Sequence, residues 1–211
     1  MTTIGTNSVG IVTLLSLFMG AVMCLQTAHQ VSGWIPAYTI GFTVRQTMIL
    51  EFSPTLIPVI LAGKIGSNIA SQLGTMRVTE QIDALEIMGI NSAGFLTLPK
   101  ILAGIICLPL LVIMSMFLGL ASGAGIAYVT GVSSMADFQY GLQVDFVSYD
   151  VIYALIKTTI FSIIITSVSA YHGYHTHGGA LEVAKSSTKA VVYSVVIIMM
   201  SNLILTKLLL T

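Results

Sequence analysis

Formal charges divide this chain into five long stretches that contain almost none. No Asp, Glu, Lys or Arg occurs before Arg45, for example, and none occurs between Lys100 and Asp137. A helix needs about 20 largely apolar residues to cross the hydrocarbon layer of a membrane, and each stretch is long enough. The pattern therefore predicts five membrane spans, at 9–29, 49–73, 99–127, 151–171 and 189–210.

Composition supports a membrane protein and excludes several other classes. Of 211 residues, 55% are hydrophobic and only 8% are charged, whereas soluble domains carry about 25% charged residues. The formal net charge is zero, so no nucleic-acid partner is expected. Cys24 and Cys107 lie in apolar runs and are interpreted as buried hydrophobic side chains, not as metal ligands. No basic residue precedes the first apolar run, which is therefore expected to be a retained span and not a signal peptide.

The basic residues of the connecting segments predict the orientation, because cytoplasmic loops are enriched in Lys and Arg. The connections that follow spans two and four carry most of them: Arg77, Lys100, Lys185 and Lys189. Arg45 is assigned to the first of the remaining connections, and the other contains only acids. We therefore expect a cytoplasmic N-terminus, an external C-terminus, and 74–98 and 172–188 on the cytoplasmic side.

Small residues recur along the second span. One row consists of Ala62, Gly66, Ala70 and Gly74, and an adjacent row begins with Gly63 and Ser67. Such rows let helix backbones approach closely in a membrane. Two interpretations remain open: tight packing within one subunit, or a surface that slides during a transport cycle.

The same span contains two prolines and two charged residues. Pro54 and Pro58 each remove a backbone donor and can kink the helix. Glu51 is either an interfacial carboxylate at a helix start or a residue that faces a cavity. Glu51 and Lys64 are 13 positions apart, about 20 Å along a helix, so we do not expect them to pair.

A short amphipathic helix is predicted over 77–88, between spans two and three. Its apolar residues fall at helical spacing, and Glu80, Asp83 and Glu86 fall on another side. Thr79 is predicted as the N-cap and Gly89 as the C-cap. The helix could lie on the membrane surface, but its acidic side suits an anionic inner leaflet poorly. Docking to a cytoplasmic partner is the favoured interpretation.

These segments resemble the MlaE-type (YrbE-type) family of ABC transporter permeases. The resemblance begins at Glu51-Phe52-Ser53-Pro54 and continues through Ala62-Gly63-Lys64-Ile65-Gly66-Ser67. It then covers Leu73–Leu85 and extends through Met88-Gly89-Ile90, Pro99-Lys100 and Leu108-Pro109-Leu110. The five-span layout extends it over the whole chain, as a single permease domain over 1–211.

The resemblance implies an all-α membrane protein with a cytoplasmic coupling helix. It implies a homodimer in the bacterial inner membrane, with a cytoplasmic ATPase that binds ATP and Mg²⁺, and a periplasmic MCE-domain protein. Phospholipid would occupy a cavity between the two permeases, lined by spans one, two and five, and its transport would maintain membrane asymmetry. The implied cavity or gating residues are Glu51, Pro54, Pro58 and Lys64. The implied ATPase-coupling residues are Arg77, Thr79, Glu80, Gln81, Asp83, Ala84, Glu86, Met88 and Gly89.

Three features depart from the family pattern. Lys64 stands where members commonly have Arg, which weakens any bidentate contact made there. Leu50 stands where some members have Arg, so a headgroup contact by that Arg is not carried over. Members also usually begin with an interfacial helix before the first span. Met1 lies almost at the membrane, so we expect a short form or a late-assigned start.

Two other functional classes remain as alternatives. Gly63-Lys64 is followed by Ile65 and lacks the upstream glycine of a nucleotide-binding loop, so the chain is expected to be non-catalytic, without a cofactor of its own. A secondary transporter or channel could use Glu51 and Lys64 without any ATPase. A metal protein could use His172, His175 and His177, but no carboxylate or Cys completes a site.

Overall fold

The computed structural model describes residues 5–31 and 36–210, and this part of the chain is helical without strands. Trp34, which the sequence suggests as part of an interfacial aromatic belt, lies outside the described residues. Two π-helical segments, Met48–Leu56 and Ala62–Gly66, interrupt the α-helices. The α-helices are α1 (Thr6–Gln30), α2 (Tyr38–Thr47), α3 (Ile57–Leu61), α4 (Ser67–Val78), α5 (Gln81–Ile87), α6 (Ser92–Thr130), α7 (Met135–Gln143), α8 (Ser148–Tyr174) and α9 (Ala180–Leu210).

Five helical stretches of the described chain are long and apolar enough to cross a membrane, which confirms the predicted all-α, five-span architecture. They cover Asn7–Gln30, Tyr38–Val78, Ser92–Thr130, Ser148–Tyr174 and Ala180–Leu209. Each predicted span lies within or almost within one of them. The largest difference is in the second stretch, which begins at Tyr38 and not near residue 49.

Arg45 explains that difference. The sequence places it in a connecting loop, but the structure places it in α2, buried to 3% exposure. Its guanidinium donates to the carbonyl oxygens of Leu142 (2.8 Å), Val144 (2.7 Å) and Asp145 (3.2 Å). These carbonyls lie at and beyond the end of α7, where a helix leaves its acceptors unpaired. Because its guanidinium is paired with these carbonyls, Arg45 can lie inside a membrane helix, and it does not mark where that helix begins.

Contacts along the chain define two compact units. The first unit contains the described parts of 1–8, 58–109 and 157–211, and the second contains those of 9–57 and 110–156. In the second unit, α2 packs against α7 over a buried core formed by Cys24, Ile40, Val44, Met48, Ala127 and Phe138. The assignment of 1–211 to a single permease domain stays a prediction.

The first unit is built around α4. Helix α4 packs against α9, as does the second π-helical segment. Ile65, Ile69 and Leu73 of this stretch are buried, and so are Ile165 and Ala170 of α8. The first unit also contains α5, which lies outside the five membrane stretches.

Candidate functional site

The two π-helical segments contain three of the four predicted cavity or gating residues. Glu51 and Pro54 lie in the first segment and Lys64 in the second, while Pro58 lies in α3 between them. Pro54 lacks an amide hydrogen, and a local π turn is one way in which a membrane helix accommodates proline. Single π turns within α-helices are frequent at functional sites. The prolines are visible in the sequence, but no feature of the sequence indicates directly that the helix widens into π-helical segments.

Glu51 is half-buried beside hydroxyl groups of the second unit. Thr55, one turn later, donates from Oγ1 to Glu51 Oε2 at 3.1 Å. Nearby in sequence, buried Ser53 accepts a 3.2 Å hydrogen bond from the Ser115 hydroxyl of α6. The carboxylate therefore accepts a hydrogen bond from the helix that carries it, in a polar stretch of an otherwise apolar span.

Lys64 contacts the start of another helix in the first unit. Its ammonium group donates to the backbone carbonyl of Asn7, in the first turn of α1. The second π-helical segment and the N-terminal end of α1 are thus tied by a charged hydrogen bond. A lysine suits this contact because a single carbonyl oxygen needs only a single donor.

The row Ala62, Gly66, Ala70 and Gly74 is buried within the first unit. A Cβ added to Gly66 would lie 2.8 Å from Ser169 Oγ of α8, and one added to Gly74 would lie 3.1 Å from Val183 Cγ1 of α9. The row therefore packs against α8 and α9 of the same chain. The adjacent row differs, because a Cβ on Gly63 would meet nothing within 4 Å, and Ser67 donates back to the Gly63 carbonyl.

The predicted amphipathic helix exists, but its start differs from the prediction. Helix α4 continues through Val78, and Thr79 ends it, with Oγ1 donating to the Thr75 carbonyl at 2.8 Å. Thr79 is thus not the N-cap of the next helix. Glu80 holds that position in the left-handed conformation, with φ 59° and ψ 15° and no side-chain cap. Thr79 and Glu80 are the only two residues between α4 and α5.

The end of α5 is as predicted. Gly89 has φ +76°, which favours glycine. Its amide donates to the Glu86 carbonyl at 2.9 Å, and the amide of Ile90 donates to the Leu85 carbonyl at 3.1 Å. These two bonds form a Schellman motif, which satisfies the last carbonyls of the helix.

Two of the three acids on the predicted acidic side make contacts within the chain. Asp83 Oδ1 forms an ion pair with Arg77 Nη1 at 2.6 Å. Glu86 Oε1 accepts hydrogen bonds from the hydroxyls of Tyr174 (2.8 Å) and Ser92 (2.9 Å). Asp83 and Glu86 thus make contacts within the chain, although the Asp83 side chain is 46% exposed and Glu86 is exposed as well. Spacing alone could not reveal this, because Tyr174 lies 88 positions away in sequence.

These contacts join α5 to three helices of the first unit, and we call them the α5 bracket. Arg77 belongs to α4, Ser92 to α6 and Tyr174 to α8. The guanidinium of Arg77 also lies over the Tyr174 ring, 5.8 Å from its centroid. Hydrogen bonds from Tyr174 and then Ser92 lower the pKa of the Glu86 carboxyl, so it stays charged and accepting at neutral pH.

The side of α5 that points away from the bracket is apolar. Ile82 is fully buried and anchors the helix, whereas Ile87 is 87% exposed and Met88 is 64% exposed. Ala84 is exposed one turn before Met88, and Glu80 and Gln81 are exposed at the start. We call Ala84, Ile87 and Met88 the α5 outer face.

Two of the three histidines near the end of α8 pack against aromatic rings. Among the residues that the structure describes, no three His, Cys, Asp or Glu side chains converge closely enough to hold a metal ion. The His172 ring instead stacks on Tyr193, with centroids 5.1 Å apart and planes inclined by 17°. His175 lies against Tyr171 at 4.4 Å.

Comparison with known proteins decides the family. The family model described as "Permease MlaE" matches residues 1–208. The chain belongs to the MlaE permease family. The resemblance inferred from the sequence is thereby confirmed, and this MlaE permease is an ABC transporter permease and a multi-pass membrane protein.

Relatives of this MlaE permease come from bacteria and from a plant. A probable ABC transporter permease protein of Rickettsia bellii is 35% identical over 97% of this chain and 79% of its own length. A protein of the same description from Synechocystis is 34% identical over 97% of this chain and 78% of its own. The Arabidopsis thaliana protein TRIGALACTOSYLDIACYLGLYCEROL 1, chloroplastic, is 31% identical over 95% of this chain and 57% of its own.

The predicted residues of this MlaE permease thus fall in three places. Glu51 lies in the second unit, whereas Lys64 and the small-residue row lie in the first. The predicted coupling residues lie in or beside α5, and Ser92 and Tyr174 contact one of them, Glu86. No motif in the sequence marks these two residues, although a tyrosine at the end of an apolar span is typical of an interfacial position.

Proposed function

We propose that this chain is the permease subunit of a transporter that moves phospholipid between the bacterial inner membrane and a periplasmic MCE-domain protein. A separate cytoplasmic ATPase drives the movement, and two copies of the permease form a homodimer. The proposal rests on α5. This short helix lies outside the five membrane stretches, contacts the ends of three of them and presents an apolar outer face.

The α5 outer face suits docking to a protein. Large exposed apolar side chains outside a membrane are informative, because water disfavours them unless a partner covers them. Full burial of an isoleucine contributes about 1.5–3 kcal/mol, and at 87% exposure nearly all of that remains available at Ile87. An ABC permease works with an ATPase, and α5 is the part of the described chain that we assign to that contact.

The α5 bracket suits the transmission of movement. Its ion pair and hydrogen bonds hold α5 against α4, α6 and α8. Buried Ile82 adds an apolar anchor. When two ATPase subunits close, α5 would move together with these helix ends and not as a loose loop. The close packing of the small-residue row would carry the movement along α4.

A lipid cargo fits the comparisons and the exposure of the helices. The Arabidopsis relative is named after a diacylglycerol glycolipid. In α1 and α9, only 28% and 11% of the most apolar window is buried within the chain, which leaves both helices free to line a cavity between two copies. We place Glu51 at that cavity, where the family resemblance puts it.

Family membership argues against a secondary transporter or channel. That alternative assigned Glu51 and Lys64 to transport without an ATPase. The matched family and the bacterial relatives are ABC permeases, and the ammonium group of Lys64 already contacts the Asn7 carbonyl.

The docking proposal can be tested with one acidic substitution on the α5 outer face. Ile87→Asp removes the exposed side chain and places a carboxylate where the interface would bury it. Losing about 2 kcal/mol of apolar burial weakens binding about thirtyfold. The measurement is co-purification of the ATPase with affinity-tagged permease from membranes.

Asn91→Asp is the matched control. Asn91 caps α6 through a 3.1 Å bond from the Gly94 amide to its side-chain oxygen, and aspartate serves equally well as an N-cap. The control thus adds the same charge four positions away without touching α5. We expect it to retain the ATPase. Wild-type co-purification of the Ile87→Asp variant would refute docking at this face.

A further inference from the structure

A basic cavity lies where α8 connects to α9, apart from the α5 outer face. Its volume is about 290 Å³. Both helices and the turn between them contribute to its walls, which contain five basic side chains and one carboxylate. The lining residues are His172, His175, Thr176, His177, Glu182, Lys185, Ser186 and Lys189.

The charges in this cavity do not cancel. Glu182 Oε1 forms an ion pair with Lys185 Nζ at 2.6 Å, so these two charges neutralise each other. Glu182 also attracts Lys189 electrostatically, but Lys189 is exposed and makes no hydrogen bond or ion pair within the described part of the chain. Its ammonium group therefore remains available to an anion, beside the three histidines.

Hydrogen bonds fix the wall of the cavity. The Ser186 hydroxyl donates to the His172 carbonyl at 2.6 Å, and the Thr176 hydroxyl donates to the same carbonyl at 2.8 Å. The stack of His172 on Tyr193 holds the imidazole against α9. The basic groups are thus presented by an ordered connection between the two helices.

Two apolar cavities share wall residues with the basic one. One, of about 570 Å³, shares Lys185 and Lys189 with it and is also lined by Val192 and Tyr193. The other, of about 370 Å³, shares His172 with it and extends past Tyr193 to Ile197. The basic cavity therefore shares its walls with two apolar grooves, one along α9 and one between α8 and α9.

We propose that this composite cavity binds an anionic phospholipid, with its phosphate at Lys189 and the histidines and its acyl chains in the two grooves. Basic pockets between membrane helices bind anionic headgroups. A free phosphate would occupy the basic cavity alone. The apolar grooves beside it could also take acyl chains, which favours a lipid as the source of the anion. Tyr174, which contacts Glu86 of α5, follows His172 by two positions. The site thus lies at the α5 end of the first unit.

This inference goes beyond the proposed function. The transported lipid is placed between two permeases, whereas this site belongs to one chain and needs neither ATP nor movement. The bound lipid would be a resident of the leaflet on the α5 side.

The test is native mass spectrometry of the purified full-length chain in detergent, titrated with phosphatidylglycerol. Loss of one basic contact to a headgroup weakens binding about fivefold, so we expect that change for Lys189→Gln. Charge reversal in Lys189→Glu should weaken it about thirtyfold, and Lys189→Arg should retain it. Lys207→Glu is the matched control, because Lys207 is an exposed lysine near the other end of the same helix.

Three results would overturn the proposal. Lys207→Glu could weaken binding as much as Lys189→Glu, which would indicate general attraction between charges. The exposed, neutral Lys189→Gln variant could bind phosphatidylglycerol as the wild type does. Glycerol phosphate or inorganic phosphate could bind as tightly as the lipid, which would indicate a free-phosphate site. Tighter binding of phosphatidylglycerol than of these chain-free anions, lost only at Lys189, supports the lipid site.

Discussion

Gly173→Ala should loosen the packing of α8 against α4. The two helices lie close together at this glycine. A Cβ at Gly173 would lie 2.7 Å from the Ala70 carbonyl oxygen, 2.9 Å from Ala70 Cα and 2.9 Å from Leu73 Cβ. Favourable contacts lie at about 3.5–4.0 Å, and two of the three neighbours are backbone atoms that cannot rotate away. The helices would therefore have to separate, and such overpacking costs about 1–3 kcal/mol.

Gly125→Ala provides the comparison that isolates this cost. Gly125 is exposed in α6, and a Cβ there would meet nothing within 4 Å. Alanine is a better helix former than glycine by up to about 1 kcal/mol, and both variants gain this. The difference in free energy of unfolding between the two variants should thus be about 1–3 kcal/mol, with Gly173→Ala the less stable.

The assay is unfolding by SDS in mixed micelles, followed by far-UV circular dichroism of the purified permease. Gly173 immediately precedes Tyr174, so Gly173→Ala should also weaken the α5 bracket and reduce ATPase co-purification. Equal unfolding midpoints for Gly173→Ala and Gly125→Ala would refute the close packing of α8 on α4.

Three further substitutions test the α5 bracket, the turn before α5 and the first π-helical segment. The lowered pKa of Glu86 means that its hydrogen bonds stabilise the fold above the ordinary carboxyl pKa and lose that effect as the pH falls through the lowered value. Thermal unfolding of Tyr174→Phe should accordingly fall below that of wild type at neutral pH and approach it in acid; a gap that does not change with pH would contradict this. Because Glu80 has φ 59°, Glu80→Val should be less stable than Glu80→Gly by about 1–2 kcal/mol, and equal SDS-unfolding midpoints would argue against the left-handed turn. Glu51→Gln keeps an acceptor for Thr55 but removes the charge, so it should fold normally and transfer less lipid in reconstituted vesicles; wild-type transfer would leave Glu51 with only a structural role.

The sequence predicted the membrane helices well because each crosses the bilayer as an apolar run. It failed where a polar group is satisfied by a distant partner. In the sequence, the charge of Arg45 suggests a loop between spans. In the structure, Arg45 lies buried in α2 and donates to the carbonyl groups of residues 142, 144 and 145. The spacing of Asp83 and Glu86 indicates one acidic side of a helix, but it does not show that Arg77 and Tyr174 contact these two carboxylates.

The sequence also did not predict the π-helical segments or the α5 outer face. Pro54 indicated a disturbed helix without specifying how the backbone adapts, since kinking and widening both relieve its missing donor. Ile87 and Met88 look like core residues in a list of apolar positions. Their exposure in the structure, together with the burial of Ile82 on the opposite side, shows that they point outward.

The most direct test of the central claim is phospholipid transfer from vesicles that contain the permease and its ATPase to a purified MCE-domain acceptor. Fluorescent phospholipid reports the rate. We expect transfer to require ATP, to fall strongly with Ile87→Asp and to persist with Asn91→Asp. Transfer at the wild-type rate without the ATPase, or with Ile87→Asp in its presence, would contradict an ATP-driven permease coupled through α5.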